Sequence, residues 1–364
     1  MKRVMFLTNV ASPYRTRFFE TLGMWMDVTV LLTESNESQT HRSADWFENG
    51  GSCFHKVMLS GRGLTAGGEK LRPDVISWLK KPFDAIVICG YSNPTAILAM
   101  LWLRMHRRPF FIEVDGGLIR EDSPMKYRIK KWLISGASGW LSSGKQTSRY
   151  LMHYGAREEA IREYPFTSLF ASDLREQVLP REEKLAIRQE LGIPEAHMVL
   201  AVGQFIHRKG FDVLLKAAAE LPQDVGVYFV GGLPTEEYLS MQKELGLTHV
   251  HFVGFQKKDE LRRYYDAADL FVLPTREDIW GLVVNEAMAC GLPVITTDGC
   301  VAGLELVEDG VNGRLVPVGD EKQLAKAIRQ TLQEDCSRMG QASLEKIRPY
   351  TIENMAKRHL EILG

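Results

Sequence analysis

The 364-residue chain is longer than one ordinary core and suits two domains of average size. Its 45% hydrophobic and 25% charged residues give a globular balance, which excludes the disordered and fibrous classes. A net charge of −1 hides an asymmetry: residues 1–170 hold 23 basic and 16 acidic side chains (+7), and residues 171–364 hold 22 and 30 (−8).

The longest apolar run, residues 96–103, stops at Arg104, far short of the ~20 apolar residues that span a bilayer. The opening MKRVMFLTN reads as a first strand rather than a signal peptide. Five scattered cysteines form no CxxC pair, and the nine histidines form no HExxH motif. These features point to a reduced, cytoplasmic protein without a structural metal or a disulfide framework.

Short apolar runs at residues 4–9, 28–32, 85–89, 110–114 and 139–142 predict strands, several of them separated by segments of helical length. Between the first strand and the first helix lies Ser12-Pro13-Tyr14-Arg15. Pro13 suits a helix start, and Arg15, beside Ser12 and Tyr14, is a candidate phosphate or acceptor contact; a helix-surface arginine is the plain alternative. Asp115 follows the strand FFIEV and precedes two glycines. It is a candidate contact for sugar or acceptor hydroxyls, against an ordinary Asp-Gly turn. Lys126, Arg128, Lys130 and Lys131, interleaved with Tyr127 and Trp132, join Arg104, Arg107 and Arg108 in most of the positive excess. That pattern suits an anionic membrane leaflet, or else a solvated helix face; no nucleic-acid recognition motif accompanies it.

A stretch with two prolines and no periodicity, near residues 165–180, marks the boundary. The predicted domains are residues 1–170 and 171–349, with a helix at about 350–364 that can return to the first domain. Five more strands, at residues 198–202, 226–230, 250–253, 270–273 and 293–296, give the second half its own sheet. Alternating strands and helices imply two Rossmann-like α/β domains with parallel sheets.

Two segments of this half carry chemistry. In VGQFIHRKGFDVLLKA, residues 202–217, a strand runs into a basic turn; Arg208 and Lys209 could neutralise a diphosphate, or simply be an exposed turn. In PTREDIWGLVVNEAMACGLPV, residues 274–294, a helix begins near Gly281. The amides of Gly281, Leu282 and Val283 lack intrahelical partners and can hold an anion, with Gly281 leaving room for its approach. Asp278 and Glu286 stand eight positions apart around those amides. Carboxylates beside a diphosphate make sense where hydroxyls need acceptors, so Glu286 suits a ribose and Asp278 a transferred sugar; an N-cap and a solvated helix residue are the alternatives.

TREDIWGLVVNEAMACGLPVI resembles the E-x7-E signature of retaining glycosyltransferases of family four (glycosyl transferases group 1), which have the GT-B fold: two Rossmann-like domains facing across a cleft. The match spans roughly residues 195–320. The resemblance implies that Asp278 or Glu277 contacts the donor sugar, Glu286 the ribose, Gly281, Leu282 and Val283 the diphosphate, and main chain at Phe255 the base. Lys209 matches the family lysine, whereas Gln204 stands at the usual arginine and Arg208 is placed to supply that charge. It further implies a metal-independent hexosyl transfer with retention, from a nucleotide sugar to a glycan or lipid-linked acceptor on the first domain. The leaving diphosphate would help deprotonate the acceptor, domain closure would exclude water, and the pathway would build a cell-surface polysaccharide. No cofactor and no nucleic acid are expected. An epimerase or phosphorylase of the same fold, or a non-catalytic sugar-nucleotide-binding subunit, are the rival readings.

Overall fold

The computed structural model describes residues 1–34, 53–60, 65–66 and 69–364. The chain divides into two compact units. One is Met1–Ser168 together with Tyr350–Gly364, and the other is Leu169–Pro349.

The strands of the first unit are β1 (Arg3–Thr8), β2 (Asp27–Leu32), β3 (His55–Met58), β4 (Thr65–Ala66), β5 (Glu69–Lys70), β6 (Ala85–Cys89), β7 (Phe111–Val114), β8 (Gly139–Ser142) and β9 (Ile161–Glu163). Seven of them form a parallel sheet in the order β3-β2-β1-β6-β7-β8-β9, while β4 and β5 make a two-stranded antiparallel ribbon. The second unit has β10 (His197–Gly203), β11 (Val225–Gly231), β12 (Val250–Val253), β13 (Leu270–Leu273), β14 (Val294–Thr297) and β15 (Gly313–Val316), in the order β12-β11-β10-β13-β14-β15. Both orders wind outward from the first strand and then reverse, which is the doubly wound pattern.

Parallel strands covered on both faces read as unbroken apolar runs rather than alternations. Residues 198–202 of β10 are all buried, as is every residue of β13. Helix Phe211–Ala218 follows β10 and buries Phe211, Leu214, Leu215, Ala217 and Ala218 in the same core as Val199, Phe229 and Val272. In the first unit, Met5, Leu7, Ile86, Ile88 and Ile112 pack beneath helix Pro94–Met105.

Sequence patterning leads to about five strands per half; the sheets contain seven and six. The strands it misses are β3, mostly exposed, β9, three residues long, and β15, which begins Gly-Arg. Each is a sheet-edge strand, where one side lacks a neighbour and apolar runs are not required. Helix Ile352–Leu363 belongs to the first unit: its His359 ring lies 4.6 Å from both Phe18 and Tyr164. Among the described residues no helix is long and apolar enough to cross a membrane.

Candidate functional site

In the second unit the sheet order reverses between β10 and β13, and the loops that leave those two strands carry the predicted donor residues. Ligands of doubly wound sheets sit at this reversal, outside the strand C-termini.

After β10, Gln204 is exposed and Phe205 turns back into the core. A 3-10 turn, His207–Lys209, then leads to Gly210 at φ 67°. This position needs glycine twice over. The left-handed conformation disfavours other residues, and a Cβ here would collide with the Pro274 carbonyl. The close approach lets the two loops fasten together. The Arg208 carbonyl accepts from Arg276 N–H and from Thr275 Oγ1, both at 2.8 Å. Arg276 grips Asp212 in a two-pronged pair at 2.7 and 2.6 Å, which holds the guanidinium charged.

The basic turn is thereby aimed at the acidic segment. Lys209 Nζ lies 2.7 Å from Asp278 Oδ2, with both side chains nearly buried at 13% and 12% exposure. Arg208 Nη1 lies 3.4 Å from the other carboxylate oxygen and donates to the Glu277 carbonyl at 2.8 Å. Asp278 cannot swing freely, because its amide donates to Gly299 O at 2.8 Å and its carbonyl accepts from Val301 N–H at 3.1 Å. Its carboxylate is the counter-charge of Lys209 and Arg208. The half-buried neighbour Glu277 has its carbonyl fixed by Arg208 and Thr275 Oγ1.

Gly281, at φ 101°, caps helix Leu282–Ala289, and a Cβ on it would come within 2.9 Å of Cys300 Sγ. Leu282 and Val283 begin the helix half-buried, with first-turn amides that need partners from outside it. Trp280 holds the entrance: its indole N–H donates to Asn285 Oδ1 at 2.9 Å, and its carbonyl accepts from Ala302 N–H at 2.8 Å. One turn further on, the Glu286 carboxylate accepts from Tyr265 Oη at 3.1 Å. Burial raises the Glu286 pKa above the ordinary carboxylate value, against the lowering effect of that hydrogen bond. Phe255, after β12, stands 62% exposed.

The candidates of the first unit lie at the start of helix Pro13–Gly23 and just after β7. Ser12 precedes helix Pro13–Gly23 but makes no side-chain cap, and Tyr14 packs edge-on against Phe166 at 5.7 Å. Burial, and then the charge of Asp115, raise the pKa of the Tyr14 hydroxyl. Arg15 is neither a helix-surface residue nor free to reach a phosphate. It is 4% exposed and clamped between Glu113 at 2.8 Å and Asp115 at 2.6 Å. This is a correction with a clear cause: β7 delivers two carboxylates, and an isolated buried carboxylate is unaffordable without a cation.

Three more side chains complete this network. Cys89 Sγ donates to Glu113 at 3.1 Å and Tyr164 Oη to Asp115 at 3.0 Å. His359 Nε2 lies 3.5 Å from Glu113, while its Nδ1 donates to the Met355 carbonyl at 2.8 Å. Burial alone would lift Glu113, but Arg15 and His359 hold it well below the ordinary carboxylate range. Asp115 moves the other way: burial raises it, Arg15 lowers it, and the neighbouring Glu113 charge adds to the rise.

Sequence reasoning missed Tyr265, Arg276 with Asp212, and the whole partner set of Arg15. Tyr265 and Arg276 lie inside recognisable segments, but their partners are set by chain reversals. Glu113 and His359 are separated by 246 positions, with no local signal to join them.

With this geometry in place, comparisons with known proteins can be stated. Residues 183–347 match the family model of glycosyl transferases group 1. A D-inositol 3-phosphate glycosyltransferase of Mycolicibacterium gilvum is 37% identical over 172 residues, which are 45% of this chain and 38% of the relative. The chain thus spans well under half the length of such curated relatives. HepE of Anabaena in complex with UDP superposes with a TM-score of 0.78 at 20% identity, covering 99% of both chains. The sucrose-phosphate synthase of Thermosynechococcus elongatus gives 0.76 at 19%, covering 99% of this chain and 98% of the other. These likenesses give the fold as GT-B.

Proposed function

We propose, from a GT-B chain whose residues 183–347 match glycosyl transferases group 1, that the protein transfers a hexose from a nucleotide sugar to a glycan or lipid-linked acceptor, with retention of configuration and without a metal. One observation carries the reading. At the sheet reversal of the second unit, the basic turn at Arg208 and Lys209, the helix start at Gly281 and the Glu286 carboxylate are brought to one set of fastened loops.

In this reading the donor diphosphate lies against the amides of Gly281, Leu282 and Val283, where the positive helix end favours it. Arg208 and Lys209 stabilise the charge that grows as the sugar C1–O bond breaks. The acceptor oxygen forms the new bond to C1 on the same face, and its proton passes to the departing phosphate oxygen. Glu286 accepts from the ribose and Phe255 marks the base, while Gln204 borders the basic turn. Asp278 or its neighbour Glu277 meets the transferred sugar. Asp115, with Tyr14 and Ser12 nearby in sequence or space, contacts the acceptor on the first unit, and Arg15 holds Asp115 in place.

HepE has been solved with UDP and with UDP-glucose, so UDP-hexoses are the first donors to try. We place the enzyme in the cytoplasm, in the synthesis of a cell-surface polysaccharide, with the basic half toward an anionic surface. Incubation with UDP-hexoses and an acceptor panel tests the activity, and proton NMR of the fresh product reads its anomeric configuration. A product of inverted configuration refutes retention. Activity lost with EDTA and regained with a divalent ion refutes the metal-free step. Epimerised sugar nucleotide with no transfer refutes the assignment as a transferase.

A further inference from the structure

Helix Lys258–Ala267, between β12 and β13, brings to the donor loops a side chain that no motif marks. Tyr264 and Tyr265 stand side by side in it. Neighbouring helical residues point about 100° apart, so Tyr264 is half-buried while Tyr265 is 3% exposed. The Tyr265 ring lies against Phe271 of β13, with centroids 5.8 Å apart. The helix itself is fastened to the segment at 173–175. Arg175 donates to both oxygens of Asp266 at 2.8 and 2.6 Å, Lys258 pairs with Asp173 at 2.7 Å, and Arg262 donates to the Asp173 carbonyl at 2.6 Å. Ring and helix together fix the place of the Tyr265 hydroxyl, which donates to Glu286 Oε2 at 3.1 Å.

A buried tyrosine hydroxyl needs an acceptor, but a carbonyl or a side-chain amide would serve. A carboxylate is the costly choice. It also has room for about four hydrogen bonds, of which Tyr265 supplies one. The remaining capacity suits a ligand with two adjacent hydroxyls. In the proposed function that ligand is the donor ribose, and the inference rests on that reading.

We infer that Tyr265 is a positioning residue: its hydroxyl ties down Oε2 of Glu286, leaves Oε1 to the donor, and so makes the ribose diol part of what the site recognises. The surrounding charges act on the same carboxylate. Burial is the largest influence on Glu286 and raises its pKa, and the Tyr265 hydrogen bond is the largest one opposing that rise. Lys258 and Lys209 also favour the carboxylate, and Asp173 disfavours it. Cys290, just past the end of the Glu286 helix, stays a thiol, its pKa pushed up to about 12 by burial. Burial likewise holds the Tyr265 hydroxyl well above its ordinary pKa, so it remains a donor.

Tyr265→Phe keeps the ring and removes the one oxygen. Calorimetric titration of the full chain with UDP, GDP and ADP finds the diphosphate that the parent binds most tightly, and that nucleotide is compared with its 2′,3′-dideoxy form. The parent should prefer the ribose form. Tyr265→Phe should bind the ribose form on the order of tenfold more weakly, and the dideoxy form as the parent does. In turnover the loss should fall on KM for the nucleotide sugar, with kcat nearly unchanged. The acid limb of kcat/KM should move to higher pH, because the lost hydrogen bond favoured the carboxylate. In a Glu286→Gln background, where nothing titrates at this position, Tyr265→Phe should move no limb. If Tyr265→Phe weakens both forms of the nucleotide equally, or weakens neither, the positioning role is overturned while the transferase reading stands. A lowered unfolding temperature with parental ribose preference marks a merely structural pair and overturns it as well. A parent that binds none of the three diphosphates refutes the donor site, and the inference with it.

Discussion

Replacing Lys209 by Ala tests whether the basic turn is built for an anion or merely for its own carboxylate. The substitution removes the cation 2.7 Å from Asp278 Oδ2 in a pair that is 13% and 12% exposed. Breaking a fully buried pair costs about 3–5 kcal/mol. Here Arg208 remains 3.4 Å from Asp278 and is 43% exposed, so solvent and the second cation soften the loss. A cost of about 1–2 kcal/mol follows, or roughly 2–8 °C for a unit of this size. On the donor side the loss falls on the departing diphosphate, and removing one such contact slows turnover by about 10²–10³. Differential scanning fluorimetry gives the first quantity and steady-state transfer the second. The Asp278→Ala variant and the double variant complete a cycle. Stability should be partly restored in the double variant, because no lone charge is left, whereas turnover should stay low. If stability losses simply add and turnover matches the parent, the pairing and the anion-binding role are both refuted.

Gly210→Ala should lower stability by about 1–2 kcal/mol through the left-handed strain alone, and by more as the new methyl pushes the turn off Pro274. Donor affinity should fall with it; an unchanged melting temperature refutes the close approach. Arg15→Ala leaves Glu113 and Asp115 without their cation and should cost about 3–5 kcal/mol, enough to impair folding, whereas an acceptor-contact arginine would lose activity at parental stability. Glu113 also gives a pH signature. Its folded-state pKa is lowered, so its contribution is present above the ordinary carboxylate value of 4.5 and is lost as pH falls below that value. Glu113→Gln should flatten this acid-side decline in thermal stability, and a variant with the parental slope refutes the assignment.

The doubly wound fold was legible because parallel strands buried on both faces must be written as apolar runs, as at residues 198–202 and 270–273. The proposed donor segment could be picked out because its residues are local: Gly281, Asp278 and Glu286 lie within nine consecutive positions of one strand–loop–helix unit. Lys209 could be marked as basic, but not as the partner of Asp278, since the 69 positions between them close only when β10 and β13 become neighbours. Arg15 was misjudged for the same reason. Ser-Pro-Tyr-Arg at a helix start reads as an exposed loop, and only the passage of β7 beneath it reveals two carboxylates. The basic and aromatic residues of helix Pro124–Ile134 were visible, but which face it presents depends on the packing of Leu133 and Ile134.

The return of helix Ile352–Leu363 to the first unit also bears on the order in which the chain can fold. Leu169–Pro349 is continuous and can close its core from its own sequence. The first unit cannot, because Phe18 and Tyr164 must wait for the His359 ring. Contacts across such a separation are slow to form. A nascent chain therefore passes through a period in which its trailing unit is native while its leading unit keeps Glu113 short of one neighbour and an apolar helix uncovered. Protease pulses on a released chain truncated after Pro349 should find 169–349 resistant and the preceding residues cleavable. Early protection of the N-terminal unit would show that it closes without its distant helix.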